Sequence, residues 1–169
     1  MRRLVGSEMC IRDRFMGNWL LALSWDCAFA VEHVYGHHKN VGLPSDPATA
    51  KRGENIYLFI FKAIIKEQFD AWKIELLQSQ RRNQSFLSFK NKMLLGYMRS
   101  IVIMVMAFFI GGLKGMLIFA LIAFIAKALL EVINYSEHYG LVRVEGEPVL
   151  PHHSWNSNNR MTSYLTYNL

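Results

Sequence analysis

Three histidines stand close together in EHVYGHHKN, Glu32 to Asn40, and a fourth, His138, closes NYSEH far along the chain. Imidazole is the commonest side-chain metal ligand. On a helix His33 and His37 are four residues apart on one face, a spacing that lets two rings reach one ion. His38, about 100° further round, reaches toward a second ion, so the spacing leaves a paired-metal site open. Glu32 and Glu137 each precede a histidine, and with Asn134 they are candidates for the outer shell that holds a ligand's second ring nitrogen. His152 and His153 follow Pro151 in a polar loop without a helical platform. They read as structural or gating residues rather than ligands.

The elements that must position these side chains are apolar. Of 169 residues 52% are hydrophobic, more than an ordinary soluble domain carries. The net charge of +6 comes from lysines and arginines beside apolar runs, not interleaved with exposed aromatics, which argues against a nucleic-acid partner. Cys10 and Cys27 form neither a disulfide framework nor a zinc spacing. Residues 93–110 and 113–133 are each long and apolar enough to cross a hydrocarbon core of roughly 30 Å, and Gly111 and Gly112 between them predict a turn. Residues 16–31 read as the end of a further span, interrupted by Asp26.

Between the spans, residues 54–82 are amphipathic. Phe61, Ile64, Ile65, Phe69, Trp72 and Leu76 recur at helical spacing, while Lys62, Lys66, Asp70 and Lys73 hold another face. Such a helix fits a membrane surface or packs on protein, and the two are compatible. The fold class expected is all-α, a polytopic membrane helical bundle. A hairpin that leaves and returns puts EHVYGHH and NYSEHYG on one side of the bilayer. That side carries Lys39, Lys51, Arg52, Lys62, Lys66 and Lys73 against a lone Lys114 at the far turn, so it is cytoplasmic by the positive-inside bias. Lys127, Glu131, Asn134 and His138 form a polar stripe on the returning span. Two readings of Lys127 and Glu131 stay open: an ion pair snorkelling to the surface, or groups facing a functional interior. Arg99, near the start of its span, reads as snorkelling.

EHVYGHHKNVGLPSDPATAKRGENIY, NYSEHYGLVR and HSWNSNN together resemble the bacterial integral-membrane alkane 1-monooxygenases, within the wider membrane fatty acid desaturase and hydroxylase superfamily. The resemblance runs from about Trp19 to Leu169. It implies a non-haem di-iron centre with His33, His37, His38 and His138 on ligand positions. It further implies O2-dependent hydroxylation of a medium-chain alkane at its terminal carbon, fed by rubredoxin at the cytoplasmic face of the inner membrane, with the substrate arriving from the lipid bilayer. The family's HExxH-type box and its later box resembling QRHSDHH do not occur in this sequence. Residues 1–14, whose GSEMCIRDR resembles translated sequencing adapter, are set aside as non-native, and residues 15–169 are expected to be a partial hydroxylase domain, inactive alone. A fatty acyl desaturase or hydroxylase, or a xylene-type methyl hydroxylase, would use similar histidines. A metal transporter or metal-binding module would place ionisable groups along a transmembrane path, whereas these histidines collect at one side.

Overall fold

The computed structural model describes residues 15–155. The GSEMCIRDR stretch and everything after Trp155, including NSNN, lie outside the described residues. All regular structure within them is helical. Helix α1 covers 15–23. A nearly continuous helical segment follows, made of α2 (Phe29–Glu32), a π-helical turn (His33–His37) and α3 (His38–Asn40). Then come α4 (Ile56–Arg81), α5 (Lys92–His138) and a 3-10 turn at Pro151–His153.

The apolar run 16–31 is therefore not one helix. It breaks at Trp25, which takes a left-handed backbone (φ 55°). The Trp25 N–H donates to the Ala22 carbonyl at 3.3 Å and the Asp26 N–H to that of Leu21 at 2.9 Å, the paired bonds that close a Schellman end. The break turns Asp26 inward, where it is 1% exposed and meets Lys127.

The hairpin expected at the paired glycines is present. Within α5, Gly112 sits at φ 60°, ψ −156°, a region that only glycine occupies without strain. Neighbouring α4 residues prove the reversal: Gln68 accepts from the Tyr97 hydroxyl, and Glu67 meets Lys127 at 3.2 Å. In a straight helix Tyr97 and Lys127 would be about 45 Å apart, so both reach one turn of α4 only if the arms lie side by side. By length and composition α5 is apolar enough to cross a membrane. Phe109 and Ile110, beside the turn, are more than four-fifths exposed, and the other outward side chains of α5 are about half exposed.

Helix α4 is capped by Asn55, whose side chain accepts from the Tyr57 and Leu58 N–H groups. Its inward stripe is Phe59, Ala63, Glu67, Ala71, Glu75 and Ser79, one residue in four. Of the large apolar side chains that gave the periodicity, Phe61, Ile65, Phe69 and Leu76 point outward, Ile64 is half-buried and Trp72 packs on the core. Small inward residues let α4 approach the hairpin closely, and its two inward glutamates make specific bonds there. Glu75 accepts from the Lys92 N–H at 2.9 Å, at the start of α5, beside the Asn91 cap. The loop from Val41 to Asn55 is fastened to the other end of α5. There the Gly140 N–H donates to the Ala50 carbonyl and the Tyr135 hydroxyl to the Glu54 carbonyl.

Candidate metal centre

The π-helical turn decides how the first three histidines meet. The His38 N–H reaches back to the His33 carbonyl, one residue further than in an α-helix. The extra residue swings His38 toward His33, and their rings lie edge to face with centroids 4.5 Å apart. His33 and His37 stack at 5.2 Å, and His37 and His38 stand 5.9 Å apart. His138, at the end of α5, comes within 4.8 Å of His37. Hairpin and π turn thus gather four imidazoles from the two ends of the sequence. π-Helical turns recur at functional sites.

Two of the rings have a fixed orientation. His37 Nδ1 lies 2.9 Å from Asp46 Oδ2, and His138 Nδ1 lies 3.1 Å from the His153 carbonyl. A carboxylate and a carbonyl only accept, so each Nδ1 carries the proton and each Nε2 keeps its lone pair. Asp46 is itself held, by the Thr49 hydroxyl on Oδ2 at 2.5 Å and the Ala48 N–H on Oδ1 at 3.3 Å. This is the carboxylate–histidine arrangement that fixes ligands in metal sites.

The candidate outer-shell residues fall elsewhere. Glu32 is buried with its carboxyl against Gly36 and makes no hydrogen bond among the described residues. Glu137 Oε2 stands 3.8 Å from His138 Nε2, on the lone-pair side of the ring rather than behind it. Asn134 donates to Glu131 Oε2 at 3.1 Å and belongs to a different network. Sequence reasoning missed Asp46 and Thr49. The available signal was the Asp-Pro-Ala turn, in which the aspartate side chain accepts from the backbone two residues on. His153 is buried, with its Nδ1 accepting from the Leu150 N–H, whereas His152 is exposed.

The electrostatics favour neutral rings at His33 and His138. Burial, with the neighbouring imidazoles, pushes His33 down to about 3. Burial and His37 likewise lower His138. Burial works against a charged His37 too, but the Asp46 hydrogen bond and charge outweigh it and raise that ring. Glu32 is pushed up to about 7, by burial and then by the charge of Asp46. In donor chemistry the cluster fits a divalent iron ion: neutral imidazole nitrogens, two with their Nε2 exposed by the partner behind. As they stand, no three His, Cys, Asp or Glu side chains among the described residues converge tightly enough to hold an ion. His33 also forms part of the wall of an open groove of about 420 Å³, with Leu21, Phe29, Ala30, Val34 and Leu95.

A second polar cluster lies deeper. Lys127, 6% exposed, donates to Asp26 at 2.7 Å, Glu67 at 3.2 Å and Glu131 at 3.4 Å. It does not snorkel. The stripe seen in the sequence is thus two systems on one helix face, a charged one ending at Asn134 and a histidine one beginning at His138.

The fatty acid desaturase family model matches residues 9–169, a range that includes both histidine segments. The chain belongs to the fatty acid desaturase family. It is 35% identical to alkane 1-monooxygenase 1 of Pseudomonas aeruginosa, over 98% of this chain and 46% of that protein. To the alkane 1-monooxygenase of Pseudomonas putida it is 37% identical, over 93% of this chain and 40% of that one. The xylene/toluene monooxygenase hydroxylase component XylM of Pseudomonas putida is 35% identical over 75% of the chain and 34% of its own length. The chain spans less than half the length of these relatives. In this desaturase-family chain His33 is shared by the gathered imidazoles and the groove, whereas His37, His38 and His138 do not line it.

Proposed function

We propose that the protein is a membrane di-iron monooxygenase that converts medium-chain alkanes to primary alcohols at the terminal carbon. The observation that carries this reading is the meeting of His33, His37, His38 and His138, each within 6 Å of another of the set, beside an apolar groove in a chain similar to alkane 1-monooxygenases. These four histidines are the proposed iron ligands. Bound there, iron supplies the redox chemistry for O2 that no side chain in the groove possesses.

The chain's own residues do the rest. Asp46 and the His153 carbonyl present two Nε2 atoms toward the centre. The groove takes the end of an alkane out of the bilayer and lays it against Leu21, Phe29, Ala30, Val34 and Leu95 beside His33. One oxygen atom of O2 enters the terminal C–H bond and the other leaves as water, with two electrons and two protons completing the balance. Rubredoxin is the proposed electron donor, docking on the lysine-rich cytoplasmic side of the inner membrane, with the hairpin α5 crossing it twice. Similarity to XylM favours one second reading, hydroxylation of an aromatic methyl group.

The test is made on the protein expressed with whatever its gene encodes on either side. Supplied with rubredoxin, its reductase and O2, it converts octane to 1-octanol, and His37→Ala or His138→Ala abolishes both product and bound iron. Unchanged turnover and iron in these variants overturns the ligand assignment. Oxidation of p-xylene but not octane selects the second reading.

A further inference from the structure

The two histidine groups have to be held at a fixed separation, and one side chain that belongs to neither is built to do it. Arg143 lies five residues beyond His138 and is 7% exposed. Its guanidinium makes no ion pair among the described residues. Instead Nε donates to the Val41 carbonyl at 2.7 Å, Nη2 to the Lys39 carbonyl at 2.7 Å, and Nη1 to the Glu147 carbonyl. The Lys39 and Val41 carbonyls close the helical segment that carries His33, His37 and His38, where carbonyls lack intrahelical partners. Arginine's rigid fork reaches two of them at once, and its charge suits the negative end of that helix.

The backbone completes the tie. The Arg143 N–H donates to the Gly42 carbonyl at 2.8 Å. The Gly42 N–H donates to Thr49 Oγ1, and Thr49 donates to Asp46, which holds His37. Gly42 has φ +77°, and a Cβ there would lie 3.0 Å from Arg143 Cβ, so the approach depends on glycine. One unbroken series of bonds therefore runs from the residue after the NYSEHYGLV segment to the ring of His37.

We propose that Arg143 is a positioning residue that sets the separation between His138 and the His33, His37, His38 group. This rests on the proposed function only for what the separation is used for, so the test includes a measurement without metal. Nitroxide labels are placed through Tyr35→Cys and Ser136→Cys, both at exposed sites beside the histidines, with Cys10 and Cys27 replaced by serine. In the metal-free protein the distance between labels is narrowly distributed. Arg143→Gln broadens or lengthens that distribution, Gly42→Ala does the same with the arginine intact, and Arg143→Lys, which reaches one carbonyl, falls between.

A second measurement titrates Fe(II) against a competing chelator and records the absorption bands of Co(II) in its place. Arg143→Gln weakens Fe(II) binding roughly tenfold, the lower end of what outer partners of ligating histidines are worth, and shifts the Co(II) bands. A merely structural residue would lower the thermal midpoint without moving the bands. A distance distribution identical to wild type in Arg143→Lys and Gly42→Ala overturns the inference. Failure of wild-type protein to take up Fe(II), with the distances still responding to Arg143, overturns the proposed function and leaves the positioning role standing.

Discussion

Two polar clusters lie inside this apolar molecule, and they are finished to different degrees. Around Lys127 the bonding turns inward: three N–H donors meet three carboxylates and Asn134 takes the spare oxygen of Glu131, while buried Asp26 Oδ2 has no partner among the described residues. Around His37 the bonding faces one way. Asp46 and the His153 carbonyl saturate the backs of two rings, while the Nε2 atoms in front have no protein donor among the described residues. A cluster of charges that bond one another serves the fold, because it joins the turn after α1, α4 and the second arm of α5. Lone pairs supported from behind and unanswered in front call for a cation.

The contrast predicts that the two clusters fail in different ways. Lys127→Met leaves three buried carboxyl groups facing one another without their cation. Breaking a buried ion pair by removing one partner costs about 3–5 kcal/mol, and the loss appears as a lower unfolding midpoint in detergent whether or not iron is present. Combining Lys127→Met with Asp26→Asn and Glu67→Gln removes most of the uncompensated charge and recovers part of the loss. A single variant as stable as wild type would mean that the network contributes nothing to the fold.

Asp46→Asn probes the other cluster. The amide oxygen still accepts from His37 Nδ1, but the charge that raises the basicity of the ring is gone. Iron affinity falls about 10–100-fold, as for other outer-shell partners of ligating histidines, while the unfolding midpoint of the metal-free protein moves little. Equal loss of midpoint and affinity would place Asp46 with the structural cluster. The effect is measured by chelator competition on metal-free and reloaded protein.

The difference between the clusters also marks what was legible in the sequence. Periodicity and glycine content gave the hairpin, because Gly111 and Gly112 interrupt a run that is otherwise uniform. The spacing of His33, His37 and His38 pointed to shared ligation, and the parity of the spans brought His138 to them. Ideal helical geometry did not anticipate the π turn that brings His38 against His33, since an i→i+5 bond leaves no compositional trace. For α4 the large apolar residues indicated a face and left open whether it meets a membrane surface or protein; Phe61, Ile65 and Phe69 point outward and Trp72 packs on the core. The inward stripe is alanine and glutamate, which hydropathy counts as weak, and glutamate goes inside because Lys127 and the start of α5 wait there. Asp46 was invisible for a related reason: it lies in a loop without period, and its role depends on the Thr49 and Gly42 contacts around it.

Asn134 stands between the two clusters, one turn after Glu131 and one turn before His138, and so tests where the boundary runs. Its side chain bonds Glu131 at 3.1 Å and makes no bond to an imidazole among the described residues. Asn134→Ala removes one hydrogen bond to a carboxylate that keeps its lysine, a loss of about 1 kcal/mol. The unfolding midpoint should fall slightly and Fe(II) affinity should stay within twofold of wild type, read from the same competition titration. A fall in affinity comparable to that of Asp46→Asn, with the midpoint unmoved, would instead assign Asn134 to the histidine centre. The carbonyl of His153 would then share the placing of His138 with it.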